Sequence, residues 1–161
     1  MPRIERVQLI RRPLDEVFGF FADAMNLEAI TPPYLNFRIL TPPPIAMHAG
    51  ALIDYRLQLF GVPLKWRTEI ERFEPNVRFV DRQLRGPYQL WHHLHEFHET
   101  SQGVVMVDQV DYRLGWSIFG GLAHVMFVRR TLDDIFDHRR RRITELLDVR
   151  PAAPALSLPV S

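Results

Sequence analysis

The residue types best suited to chemistry lie close together in this chain: His93 and His95, two positions apart, and Asp108 in the next apolar run. An imidazole whose tautomer is fixed by a carboxylate can take up or release a proton near neutral pH. It can equally anchor a polar group of a ligand. The plain alternative for such a trio is an internal hydrogen-bond network that braces neighbouring strands. A metal is a further reading, because His93-Leu94-His95 followed by Glu99 mimics the His-x-His-x3-Glu spacing of cupins, and two imidazoles on one strand face suit a metal. Against it, Glu99 falls at a strand end and no later histidine stands in a strand. The expectation is therefore no metal and no cofactor.

What positions these residues is a pair of strands. In the stretch from Gly86 to Glu99, a period of two puts Trp91, His93, His95 and Phe97 on one face and His92, Leu94, Glu96 and His98 on the other. The polar link Thr100-Ser101-Gln102-Gly103 reads as a hairpin loop into Val104–Arg113. Pairing Glu99 with Val104 sets Phe97 beside Met106, His95 beside Asp108, His93 beside Val110 and Trp91 beside Tyr112. The reverse face carries Glu96, His98, Val105, Gln109, Asp111 and Arg113, a solvated composition, so the histidine face looks inward. Buried polar groups cost free energy unless they are paired or serve a ligand, which makes His93, His95 and Asp108 the functional lead.

The other elements follow from period and punctuation. Arg3 to Arg11 alternates as a first strand, and Pro13 starts a helix with Asp15 and Glu16 near its positive end. Asp23 restarts a short helix that Pro32-Pro33 stops. Strands are expected over Tyr34 to Leu40, Ala51 to Leu59, Leu64 to Phe73 and Val77 to Leu84. A long amphipathic helix from about Ile118 to Leu147 repeats Leu122, Val125, Val128, Leu132, Ile135, Phe136, Ile143 and Leu146 at threes and fours. Its Asp133, Asp134 and Asp137, a turn before His138 and Arg139 to Arg142, read as ion pairs along the helix surface. The expected domain spans residues 1–148. Residues 149–161, rich in proline and without period, are expected to form a disordered tail.

Composition narrows the function classes. The chain has 161 residues, 47% of them apolar or aromatic, enough for a single domain with a sizeable core. Twenty basic residues stand against nineteen acidic ones, so nothing global points to nucleic acid or an anionic membrane. There is no cysteine, hence no disulfide and no thiolate chemistry. No apolar run is long enough to insert in a bilayer, and a cytoplasmic protein is the expectation. The sequence carries no signature of an oligomeric state.

Seven strands, two short helices after the first and one long C-terminal helix make an α+β layer, a curved antiparallel sheet gripping a helix. This order resembles the helix-grip fold of the START and Bet v 1-like (SRPBCC) superfamily. Gly86-Pro87-Tyr88 with Trp91, His93, His95 and Phe97, then Asp108, Val110 and Tyr112, then Arg130, Ile135-Phe136 and Arg139, looks like its bacterial polyketide cyclase/dehydratase branch. The resemblance implies a cavity between sheet and helix. Its expected lining is Tyr55, Trp66, Thr68, Phe79, Asp81, Gln83, Trp91, His93, His95, Phe97, Met106 and Tyr112, and its expected occupant a hydrophobic small molecule such as a lipid, isoprenoid or aromatic polyketide. The alternative is a cyclase- or dehydratase-type enzyme in which His93 or His95, with Asp108, does acid–base work.

Overall fold

A computed structural model describes residues 1–59, 61–115 and 122–148 of the chain, with helix side chains described from residue 126. Alternation over Arg3–Ile10 buries Ile4, Gln8 and Ile10 and forms strand β1. Pro13 then caps helix α1 (Leu14–Phe21), whose stripe of Val17, Phe18 and Phe21 is buried. Asp23 accepts a hydrogen bond from the Met25 backbone N–H at 3.0 Å, opening a 3-10 turn (Ala24–Asn26) that runs into α2 (Leu27–Ile30). After the two-residue β2 (Arg38–Ile39) come β3 (Leu52–Leu59), β4 (Val62–Glu74), β5 (Arg78–Arg85), β6 (Tyr88–Thr100) and β7 (Gly103–Leu114). Helix α3 (Leu122–Leu147) follows; the expected helix start at residues 118–121 and the expected tail at 149–161 lie outside the described residues.

The strands form one antiparallel seven-stranded sheet in the order β1-β7-β6-β5-β4-β3-β2. Two register shifts between β4 and β5, at Arg67/Thr68 and Ile70/Arg72, add the local twist that bends the sheet around α3. The architecture is the helix-grip arrangement expected from the sequence. The β6–β7 register is also the expected one, from Glu99 opposite Val104 through His95 opposite Asp108 to Trp91 opposite Tyr112. Gly103 opens β7 with φ 131°, and a Cβ there would run into the Ile10 carbonyl, so the β1–β7 edge closes only over a glycine.

Four expectations change. The strand expected over Tyr34 to Leu40 shrinks to two residues, because Pro33 seeds a 3-10 turn (Pro33–Leu35) and Asn36 turns the backbone left-handed (φ 44°). Strand β4 begins at Val62, before Pro63. Its pairing with β5 starts only at Arg67, so the missing proline N–H falls on a stretch without a second neighbour. On α3 the buried stripe is Val128, Leu132, Phe136 and Ile143, while Leu146 is exposed. Asp133 and Asp137 reach across to Arg6 of β1, both at 2.9 Å, instead of pairing along the helix.

Candidate ligand cavity and its histidine–aspartate wall

Because inward side chains recur every second residue, each strand contributes a short column to the concave face: Tyr55 from β3, Trp66 and Thr68 from β4, Phe79 and Asp81 from β5, and Trp91, His93 and His95 from β6. These eight, all expected from the sequence, line a cavity of about 160 Å³ between the sheet, α2 and α3. One side is aromatic. Tyr55 stacks on Trp66 at 5.7 Å between ring centroids, Trp91 meets Trp66 edge-on at 5.3 Å, and Tyr88 lies 4.8 Å from Trp91.

The other side is polar. His93 contacts Asp108 through Nε2, while its Nδ1 faces Asp81 Oδ2 at 3.4 Å. His95 Nε2 is hydrogen-bonded to Asp81 Oδ2 at 3.1 Å, and its Nδ1 stands 3.4 Å from Asp108 Oδ1 without a hydrogen-bond partner. The two imidazole rings lie 3.9 Å apart, and Phe79 covers the outer side of His95 at 4.2 Å. The expected direct pair of His95 with Asp108 is therefore replaced by two diagonal ones. Both carboxylates reach the histidine that is not their register partner, since Asp108 lies opposite His95 and Asp81 opposite His93. A diagonal neighbour on one sheet face is within reach of these side chains.

Helix α3 supplies a member that the charge pattern alone places on the surface. Arg139 lines the cavity, with its Nε 3.4 Å from Asp108 Oδ2 and its guanidinium 5.9 Å from the Phe21 ring centroid. Its Nε has no hydrogen-bond partner, nor has the indole N–H of Trp66. The signal for Arg139 is present in the spacing: it stands three residues after Phe136 and four before Ile143, on the apolar stripe itself. The four-arginine run masks it. Tyr88, Leu132 and Phe136 also line the cavity and were not among the expected ligand contacts.

Four expected ligand contacts lie elsewhere. Phe97 and Met106 are buried under α1, with the Phe97 ring 5.2 Å from Phe18 and 5.6 Å from Phe21; α1 fills that end of the concave face. Tyr112 is packed into the core between sheet and α3. Gln83 turns back on its own hairpin, its Nε2 donating to the Tyr88 carbonyl at 2.6 Å and its Oε1 accepting from the Tyr88 N–H at 3.3 Å, beyond the last β5–β6 pair. Asp108 stays behind the histidines, away from the cavity surface.

The electrostatics follow from burial and from these contacts. Burial and the neighbouring His93 push the His95 imidazole down to about 4, against the opposing pull of Asp81. Burial pushes Asp108 up, but Arg139 and the two histidines outweigh it and hold the carboxyl well below its usual range. Asp81 is likewise lowered, with His93 and His95 overcoming its desolvation. The Tyr55 phenol, buried and hydrogen-bonded to Thr68 at 3.2 Å, is raised and stays protonated. The wall thus combines ionised carboxylates, a neutral His95 and a guanidinium around a mostly apolar space.

The polyketide cyclase / dehydrase and lipid transport family matches residues 10–144. Among solved structures, protein CV1439 from Chromobacterium violaceum is similar with a TM-score of 0.71 at 11% identity, covering 92% of this chain and 98% of that one. The di-domain ARO/CYC StfQ from the steffimycin biosynthetic pathway is similar with a TM-score of 0.70 at 13% identity, covering 91% of this chain and 50% of the two-domain protein. Ara h 8.0201 gives a TM-score of 0.61 at 11% identity, over 89% and 98% of the two chains. No curated protein matches the sequence. At such identities the structural likeness carries the fold alone.

Proposed function

The chain belongs to the polyketide cyclase / dehydrase and lipid transport family, and from that premise we propose that it binds a hydrophobic small molecule between the curved sheet and α3. The observation that carries this reading is the asymmetric cavity, aromatic at Tyr55, Trp66, Tyr88 and Trp91 and polar at Asp81, His93, His95 and Arg139. Such a space takes an apolar body and orients it by one polar end. A volume of about 160 Å³ suits a single ring or a short branched chain. For comparison, an engineered apolar cavity of about 150 Å³ holds benzene. The buried Trp66 N–H and Arg139 Nε both lack acceptors, which favours a ligand with a carbonyl or other accepting oxygen. Residues 1–148 would be the binding domain. Among the described residues no helix is long and apolar enough to cross a membrane. A cytoplasmic location, where disulfides are rare, is part of the same proposal for this cysteine-free chain.

Quenching of tryptophan fluorescence by a small apolar probe should report one saturable site, and Trp66→Ala or Trp91→Ala should weaken it. A probe that fails to saturate, or that binds both variants as it binds the parent protein, would refute the reading.

The second reading, a cyclase- or dehydratase-type enzyme, draws on the histidine–carboxylate contacts in the cavity wall. Binding stands ahead of it because an imidazole held near 4 is a weak proton acceptor at neutral pH. Under the enzyme reading, Asp108→Asn would keep ligand affinity while losing turnover.

A further inference from the structure

We propose that His93, His95 and Asp81 form a site for one divalent transition-metal ion of nitrogen and oxygen preference, of the zinc type, facing the cavity. The ring tautomers decide which lone pairs are free. Asp108 lies against Nε2 of His93 and 3.4 Å from Nδ1 of His95. If Asp108 accepts an N–H from each ring, the free lone pairs are His93 Nδ1 and His95 Nε2. Both of these face the same atom, Asp81 Oδ2, at 3.4 and 3.1 Å. Three acceptors then converge, with the ligand atoms of the three residues all within 4.8 Å of one another. A convergent set of acceptors with no donor among them calls for a cation. Two ligands of a tetrahedral zinc, each about 2.0–2.1 Å from the ion, stand about 3.3 Å apart, and the two imidazole-to-carboxylate spacings here, 3.4 and 3.1 Å, bracket that value.

Two further observations point the same way. In the arrangement where His95 donates from Nε2 to Asp81, its Nδ1 is left buried, unpartnered and directed at a carboxylate; the residue is only 2% exposed. A metal on Nε2 moves the ring proton to Nδ1 and gives Asp108 a donor. Second, Asp108 and Arg139 have the place that outer partners take around metal-bound imidazoles, where a carboxylate orients the rings and is itself held by a neighbour. Two imidazoles and one carboxylate suit zinc, cobalt or iron, whereas magnesium and calcium prefer oxygen throughout. Because Asp81, His93 and His95 all line the cavity, the coordination position left open would accept an oxygen atom of whatever occupies it. The cupin-like spacing points to Glu99 as third ligand; Glu99 is exposed at the end of β6, and the fold supplies Asp81 from β5 in its stead.

The site does not depend on the hydrophobic-ligand reading, since the ion can be measured with nothing else in the cavity. Full-length protein stripped with a chelator would be titrated with cobalt(II) chloride and followed by its visible d–d absorption. One cobalt per chain is expected, displaced by zinc(II), and zinc should raise the melting temperature. Asp81→Asn and His95→Gln should each abolish stoichiometric binding. Asp108→Asn should keep the stoichiometry and lower affinity about 10- to 100-fold, as loss of an outer-shell partner does. His92→Gln and His98→Gln, on the outer face, should bind as the parent does. The wild-type titration decides even if a buried variant fails to fold: a cooperatively melting protein that takes up no cobalt overturns the proposal. So does binding that survives Asp81→Asn or that disappears with His92→Gln or His98→Gln.

Discussion

Replacing Arg139 by methionine tests whether the polar wall is held together by charge. The four arginines Arg139 to Arg142 are identical in type, yet Arg139 lies against Asp108 in the interior while Arg140 and Arg141 point to solvent. Removing one partner of a buried ion pair leaves the other charge uncompensated and costs about 3–5 kcal/mol. Part of this is returned, because Arg139 Nε is buried without a hydrogen bond. Deleting such a donor relieves about 1–3 kcal/mol. The net loss is then about 2 kcal/mol, or roughly 4–8 °C of melting temperature for a domain of this size. Arg140→Ala and Arg141→Ala should each cost about 0–1 kcal/mol, the usual range for exposed charges. Urea unfolding of the three variants beside the parent measures the differences. Adding Asp108→Asn to Arg139→Met should recover stability, because the uncompensated carboxylate is then gone. Equal losses at positions 139, 140 and 141, or a double variant weaker than the sum of its singles, would refute the placement of Arg139 against Asp108.

Phe136 is 4% exposed and packs edge-on to His93 at 5.6 Å, so Phe136→Ala should cost about 3–5 kcal/mol in urea unfolding and loosen probe binding in the cavity it lines. Gly103→Ala should destabilise by about 1–3 kcal/mol, because φ 131° is strained for an L side chain and the added methyl meets the Ile10 carbonyl. Thermal melting checks it, and a neutral or stabilising effect would mean that the β1–β7 edge is built differently.

The hairpin shows how far the sequence reaches. A short loop ending in Gly103 and a strict period of two leave little freedom in how Tyr88–Thr100 and Gly103–Leu114 align, so the register and the inward direction of His93, His95 and Asp108 follow from the residue pattern itself. The same reasoning places Tyr55, Trp66, Thr68, Phe79 and Asp81 on the concave face, because each strand carries its own alternation. Where backbone chemistry competes with the pattern, as at Pro33 and Asn36, the expected strand over Tyr34 to Leu40 gives way to a turn.

Alternation and helical period are properties of a few neighbouring residues, set by backbone geometry, and these the sequence determines by itself. Which inward side chains touch is set by sheet curvature and by the docking of α1 and α3, forces acting between segments far apart in the chain. For that reason only the tertiary structure revealed that Phe97 and Met106 serve the packing under α1 rather than the cavity. It alone showed Asp108 and Asp81 bonding diagonally, and it alone turned Arg139 inward out of a run of four arginines that is uniform in sequence.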